Sequence, residues 1–152
     1  MADLYEADIL LWSEKQGDLL RRLARGERVN DQVDWENVAE EIEAVGRTER
    51  QACESYLLQA LLHDLKARGW PTSREVPHWR SEARIFLYEA ANAFSPSMRQ
   101  HIDLPGLYAE AQRRLPETID DQPPLPLPEK CPVTLDEMLA AGRSHAKLNP
   151  SR

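Results

Sequence analysis

A chain of 152 residues, 41% of them hydrophobic and 30% charged, fits one soluble globular domain able to bury a core without disulfide staples. The formal net charge of −7 argues against nucleic acid as a partner, because binding a duplex takes clustered lysine and arginine. No apolar run approaches the roughly 18 residues of a membrane span, and acidic residues occupy "MADLYEADILLW" where a secretory leader carries positive charge. The expected compartment is therefore the cytoplasm, with Cys53 and Cys131 reduced.

The predicted elements are all helical. A first helix over 3–26 carries Tyr5, Ile9, Trp12, Leu19, Leu20 and Leu23 on one stripe, and Gly26 stops it. Asp34 then caps a second helix over 34–68, uninterrupted by proline and about 50 Å long. Gly69 and Pro71 end it. A third helix over 77–94 turns Trp79, Ala83, Phe86, Leu87, Ala90 and Phe94 inward. Ser95 and Pro96 restart the chain as a short helix over 96–102. Another follows over 104–119, with Pro116 bending or ending it.

The prolines of "QPPLPLPEKCPV" predict an extended arm over 123–133, laid across the helices by Leu125, Leu127 and Val133. A short terminal helix over 134–141 starts at the Thr134–Glu137 capping box and stops at Gly142. The remainder, 143–152, reads as a flexible tail. Together these predict an antiparallel, up-and-down bundle of four to five helices forming one domain over 1–142.

The second helix carries the candidate sites. At 100° per residue Glu36, Glu40, Glu43, Arg47, Arg50 and Glu54 share a sector of about 80°. Such a stripe is either a solvated face, with Glu43 and Arg47 as an i, i+4 pair, or an interaction surface made of Glu36, Glu40, Glu43, Arg47 and Arg50. Trp35, Val38, Ile42, Val45, Ala52 and Tyr56 lie on the opposite side, and Glu49 falls among them. A carboxylate in an apolar face needs a partner, so Glu49 is expected to be buried against Trp12 and Gln16 of the first helix. His63 is likewise expected against Trp79 and Glu82 of the third. Both are hydrogen-bonded core groups or, in the functional version, proton-transfer residues. Asp34, Gly46, Trp12 and Trp79 are expected in structural roles.

His63, His78 and Glu82 make a weak metal-ligand set, since no Glu-x-x-His pair of the carboxylate-bridged bundles occurs. Phosphate-loop, dinucleotide, zinc-protease and nucleophile-elbow motifs are all absent, so no cofactor is expected.

The segments "LYEADILLW", "DWENVAEEIEAVGRTER", "LLHDLKARGWP", "HWR", "SPSM" and "CPVTLDEML" resemble, in this order, a bacterial family known as domain-of-unknown-function family 29. The resemblance runs from about Leu4 to Gly142 and is densest at Asp34, Glu40, Glu41, Ile42, Glu43 and Gly46, then His63, Leu65, Lys66, Trp79 and Pro96. It implies an all-helical fold with no assigned activity. Asp64 and Ala67 depart from the leucine and tryptophan common there, and "SEARIFLYEA" lacks the family's Glu-Gln-Arg run. The expectation is a non-enzymatic interaction or regulatory module with a protein partner or a second copy of itself. The alternative is a metal-binding or acid/base enzyme using inward-facing Glu and His of the second helix.

Overall fold

The computed structural model describes residues 3–146 and is all helical. Its helices are α1 (Leu4–Ala7), α2 (Ile9–Ala24), α3 (Trp35–Gly69), α4 (Val76–Ala93), α5 (Leu104–Arg114) and α6 (Leu135–Ala146), with a 3₁₀ turn over Pro96–Gln100. None among the described residues is long and apolar enough to cross a membrane.

Where one helix was expected over 3–26, Asp8 interrupts it. Asp8 leaves the helical region (φ −153°, ψ 85°) and its carboxylate accepts from the Leu11 amide, capping α2 instead of continuing α1. A short acidic side chain satisfies free first-turn amides better from outside a helix than within one. Gly26, at φ 90°, ends the segment as expected.

Contacts divide the chain into two compact units, one running to Arg47 and the other from Thr48. In the first, α1 and α2 run antiparallel to the start of α3: Tyr5 Oη donates to Glu41 Oε1 (2.5 Å) and Trp12 Nε1 to Asp34 Oδ2 (2.9 Å). Trp12, Val33 and Val38 form its small core, flanked by Leu4, Tyr5, Leu19 and Leu23.

In the second, the rest of α3 runs antiparallel to α4. Cys53 lies against the Ala90 carbonyl, Tyr56 and His63 against Phe86, and Ala67 beside Trp79. The core joins Leu57, Leu58, Leu61, Leu62 and Leu65 to Ala90, Met98, Leu104, Tyr108, Ala111 and Met138. This half of α3 is apolar on most of its circumference, so α4, the 3₁₀ turn, α5 and α6 all pack on it.

α5 stops at Arg114, short of the expected 119, because Pro116 removes a helix donor. Asp120 and Asp121 then take left-handed conformations (φ 51° and 60°) in a two-residue turn closed by paired Ile119–Gln122 hydrogen bonds. Trp70 Nε1 donates to the Gln122 carbonyl and fixes this turn. Asp121→Gly should raise stability by about 1 kcal/mol, since glycine relieves the left-handed strain. Chemical denaturation of the variant checks it, and an unchanged midpoint would show the turn unstrained.

The proline-rich arm lies on this unit as expected. Leu125 N donates to the Gly69 carbonyl, and Leu127, Cys131 and Val133 pack on the core, although Leu125 itself is exposed. The Thr134–Glu137 capping box forms, but Gly142 does not stop the last helix: α6 continues through it to Ala146. The tail expected over 143–152 is thus helical through Ala146, and its part over 147–152 lies outside the described residues. Gly142 serves an approach of helices, because a Cβ there would stand 2.2 Å from the Leu87 carbonyl oxygen of α4.

Candidate functional site

Asp34 is the best-organised polar residue of the first unit. Its carboxylate accepts from Trp12 Nε1 and Asn37 Nδ2, its own amide donates to Gln16 Oε1, and it caps α3. Hydrogen bonds from Asn37 and then Trp12 hold its pKa below the usual carboxylate range.

The sign of the pH effect follows. A group whose pKa falls on folding adds stability above its unfolded value, about 3.9, and that contribution is lost as pH falls through the folded value. Wild type should therefore exceed Asp34→Asn in melting temperature at pH 7, with the gap narrowing below about pH 4. A gap constant between pH 7 and pH 2.5 would show that the bonds do not depend on the ionised carboxylate.

Trp12 and Gln16 were expected to meet Glu49, and this is corrected. They meet Asp34, and Glu49 is exposed with no hydrogen bond or ion pair among the described residues. No polar or charged residue among them is buried. The reason is reach: among the described residues the farthest hydrogen bond from α1 and α2 along α3 is that of Tyr5 to Glu41. The apolar face beyond stays bare, with Ile42 67% and Val45 66% exposed and Trp35 more than half so.

On the charged stripe Glu36, Glu40, Glu43 and Arg47 are exposed and Arg50 is half-buried. The expected Glu43–Arg47 pair is not made. Arg47 reaches back two turns to Glu40 (2.6 Å). Arg50 Nε lies 3.5 Å from Glu54, an ion pair whose geometry leaves the buried Nε without a hydrogen bond. Pairs this exposed are worth about 0–1 kcal/mol. Gly46 sits in open space.

His63 is half-buried. Its Nδ1 stands 2.7 Å from the Gln59 carbonyl, which can only accept, so Nδ1 carries the proton. The ring lies 5.5 Å from Phe86 of α4, and among the described residues His63 makes no hydrogen bond to Trp79 or Glu82. Trp79 packs with Ala67 and Trp70. Among the described residues no three His, Cys, Asp or Glu side chains gather as a metal site, so His63, His78 and Glu82 are not brought together.

Two clefts escaped the sequence reading, because both depend on how distant segments meet. One, of about 440 Å³, lies between α5 and the arm, lined by Leu104, Tyr108, Gln112, Glu129, Cys131 and Val133. The Tyr108 hydroxyl and Gln112 amide both donate to the Pro128 carbonyl and anchor the arm there. The second, of about 320 Å³, lies where Ala60 and Leu61, Ala83 and Leu87, and Met138 and Ala141 leave room, with Asp64, Arg68 and Glu137 also lining it. In the first cleft Cys131 follows Lys130 in the chain, and its thiol donates to the Val133 carbonyl.

Both cysteines are free. Burial, with Glu54 nearby, pushes the Cys53 thiol up to about 11, so thiolate is scarce at neutral pH. Iodoacetamide at pH 8 should leave Cys53 unmodified in the folded protein and label it only after denaturation, read by peptide mass mapping. Labelling of native Cys53 would show that α3 and α4 open readily.

No curated protein matches the chain. A crystal structure of an alpha-helical protein of unknown function from Rhodospirillum rubrum ATCC 11170 is similar, at 30% identity and a TM-score of 0.64, over 97% of this chain and 99% of that one. The model of the family described as domain of unknown function DUF29 matches residues 4–142, and the chain belongs to that family.

Proposed function

We propose that the protein is a non-enzymatic, cytoplasmic interaction module that docks a protein partner on the apolar side of α3. One observation carries this reading: Ile42 and Val45 expose two thirds of their surface side by side on a well-formed helix. Scattered exposed leucines are ordinary, but adjacent aliphatic residues on one helical face, with Trp35 a further two turns back, form a patch of the kind partners cover. The charged stripe of Glu36, Glu40, Glu43, Arg47 and Arg50 lies on the opposite side, where it keeps the helix solvated. The test is affinity capture from the native host, comparing wild type with an Ile42→Gln/Val45→Gln double variant. The reading expects at least one protein, a second copy included, to be retained by wild type and lost by the variant. Identical retained sets would overturn it.

A further inference from the structure

The arm between α5 and α6 has a backbone that its sequence dictates. From Gln122 to Pro128 every residue is a proline or stands directly before one. Proline rings fix φ at Pro123, Pro124, Pro126 and Pro128, and their clash with the residue before holds ψ extended at Gln122, Pro123, Leu125 and Leu127. Such a segment winds as a polyproline helix, with about three residues per turn and no internal hydrogen bonds. The structure agrees: 123–128 holds no helix, strand or turn, and Pro124 and Leu127, one such turn apart, both approach Gly69.

The winding is pinned along its length. Trp70 Nε1 donates to the Gln122 carbonyl, Leu125 N to the Gly69 carbonyl, and Tyr108 and Gln112 to the Pro128 carbonyl. With the Pro124 and Leu127 edge turned inward, the other two edges face out: Gln122 with Leu125, and Pro123 with Pro126, all four exposed. Pro123 and Pro126 thus stand in the Pro-x-x-Pro spacing that aromatic-lined grooves take, with Leu125, 54% exposed, beside them. Among the described residues the carbonyls of Pro123, Pro124, Leu125 and Pro126 accept no hydrogen bond. An added β-strand would find few donors here, because prolines have no N–H and the Leu125 amide is given to Gly69. Free carbonyls between proline rings suit a groove of aromatic side chains whose indole or phenol groups donate. We propose that the outward edges of the arm from Gln122 to Pro126 form a preformed polyproline ligand for an aromatic-lined groove on another protein. The pins remove most of the ordering cost that a free peptide meets on binding. No residue of the α3 face takes part.

The test titrates the isotope-labelled full chain with isolated SH3, WW and EVH1 domains, used as probes of groove chemistry and followed by amide and indole NMR. At least one domain should bind and shift the Leu125 amide and the Trp70 indole. Pro123→Ala/Pro126→Ala should weaken that binding by about tenfold. Leu125→Gln, which leaves every proline in place, should weaken it by about threefold or more. Pro132→Ala, at an exposed proline outside the pair, should stay within about twofold of wild type. Tyr108→Phe removes one pin and should lower affinity by about threefold, toward that of a free peptide spanning 120–131. Circular dichroism verifies the fold of each variant, and Ile42→Gln/Val45→Gln should bind the domain as wild type does.

Binding by none of the domains would overturn the proposal. So would a domain that binds the free peptide but not the full chain, since the outward edges would then be covered. Equal losses in Pro132→Ala and the Pro123/Pro126 double variant would also overturn it, because the effect would belong to proline content and not to the outward pair. None of these outcomes touches the α3 docking reading, which falls only with Ile42 and Val45.

Discussion

Gly142→Ala should lower the melting temperature by about 9 °C, from a loss of about 3 kcal/mol in a domain of this size. The added Cβ would meet the Leu87 carbonyl oxygen at 2.2 Å, its carbon at 2.7 Å and Ala91 Cβ at 3.0 Å. Two of those atoms are backbone, so no side chain can swing aside, and α6 must withdraw from α4. Leu139, one turn earlier and fully buried, would lose its packing with it. Alanine is intrinsically the better helix former by about 1 kcal/mol, so the contact must outweigh that gain. Gly46→Ala supplies the control: it is helical and nothing lies within 4 Å of a Cβ there, so it should gain about 1 kcal/mol, or about 3 °C. Calorimetry of both variants decides the matter; a Gly142→Ala protein as stable as wild type would place α4 and α6 farther apart than 2.2 Å allows.

These two glycines also mark what a sequence can disclose. Gly142 follows an apolar run and reads as a helix stop, since glycine after a last hydrophobic turn usually is one. That it instead lets α6 pass against Leu87 is a property of a neighbour more than 50 residues away, with no local signal. Local chemistry was legible wherever the cause was local: the Asp34 cap, the Gly26 stop, Ser95–Pro96, and the Thr134–Glu137 box. Asp8 shows the limit, because its neighbours support a helix as well as a cap and only the capping bond to Leu11 decides.

Glu49 departs from its sequence expectation for a related reason. Helical periodicity places it beside Ile42 and Val45, whose apolar character by itself predicts a covered face. Periodicity gives the side of a helix but not how far a packed neighbour extends along it. Among the described residues the farthest hydrogen bond from α1 along α3 is at Glu41, and the same stripe passes from buried at Val38 to bare at Ile42 within a single turn. The candidate docking face was therefore present in the sequence as a pattern and hidden in it as an exposure.

A substitution series along α3 tests that boundary through stability alone. Leu57→Ala should cost about 3–4 kcal/mol, because Leu57 is completely buried in the main core and its removal leaves a cavity between helices that cannot close on it. Ile42→Gln and Val45→Gln should each stay within about 0.5 kcal/mol of wild type, since both side chains are already two thirds in water and glutamine suits a helix at least as well as a β-branched residue. The contrast concerns residues of one helix, all aliphatic, so propensity and side-chain type cannot account for a large difference; only coverage can. Guanidinium unfolding gives the three values directly. If Ile42→Gln costs as much as about 2 kcal/mol, that side of α3 is covered within the molecule itself, and the docking reading loses the exposure on which it stands.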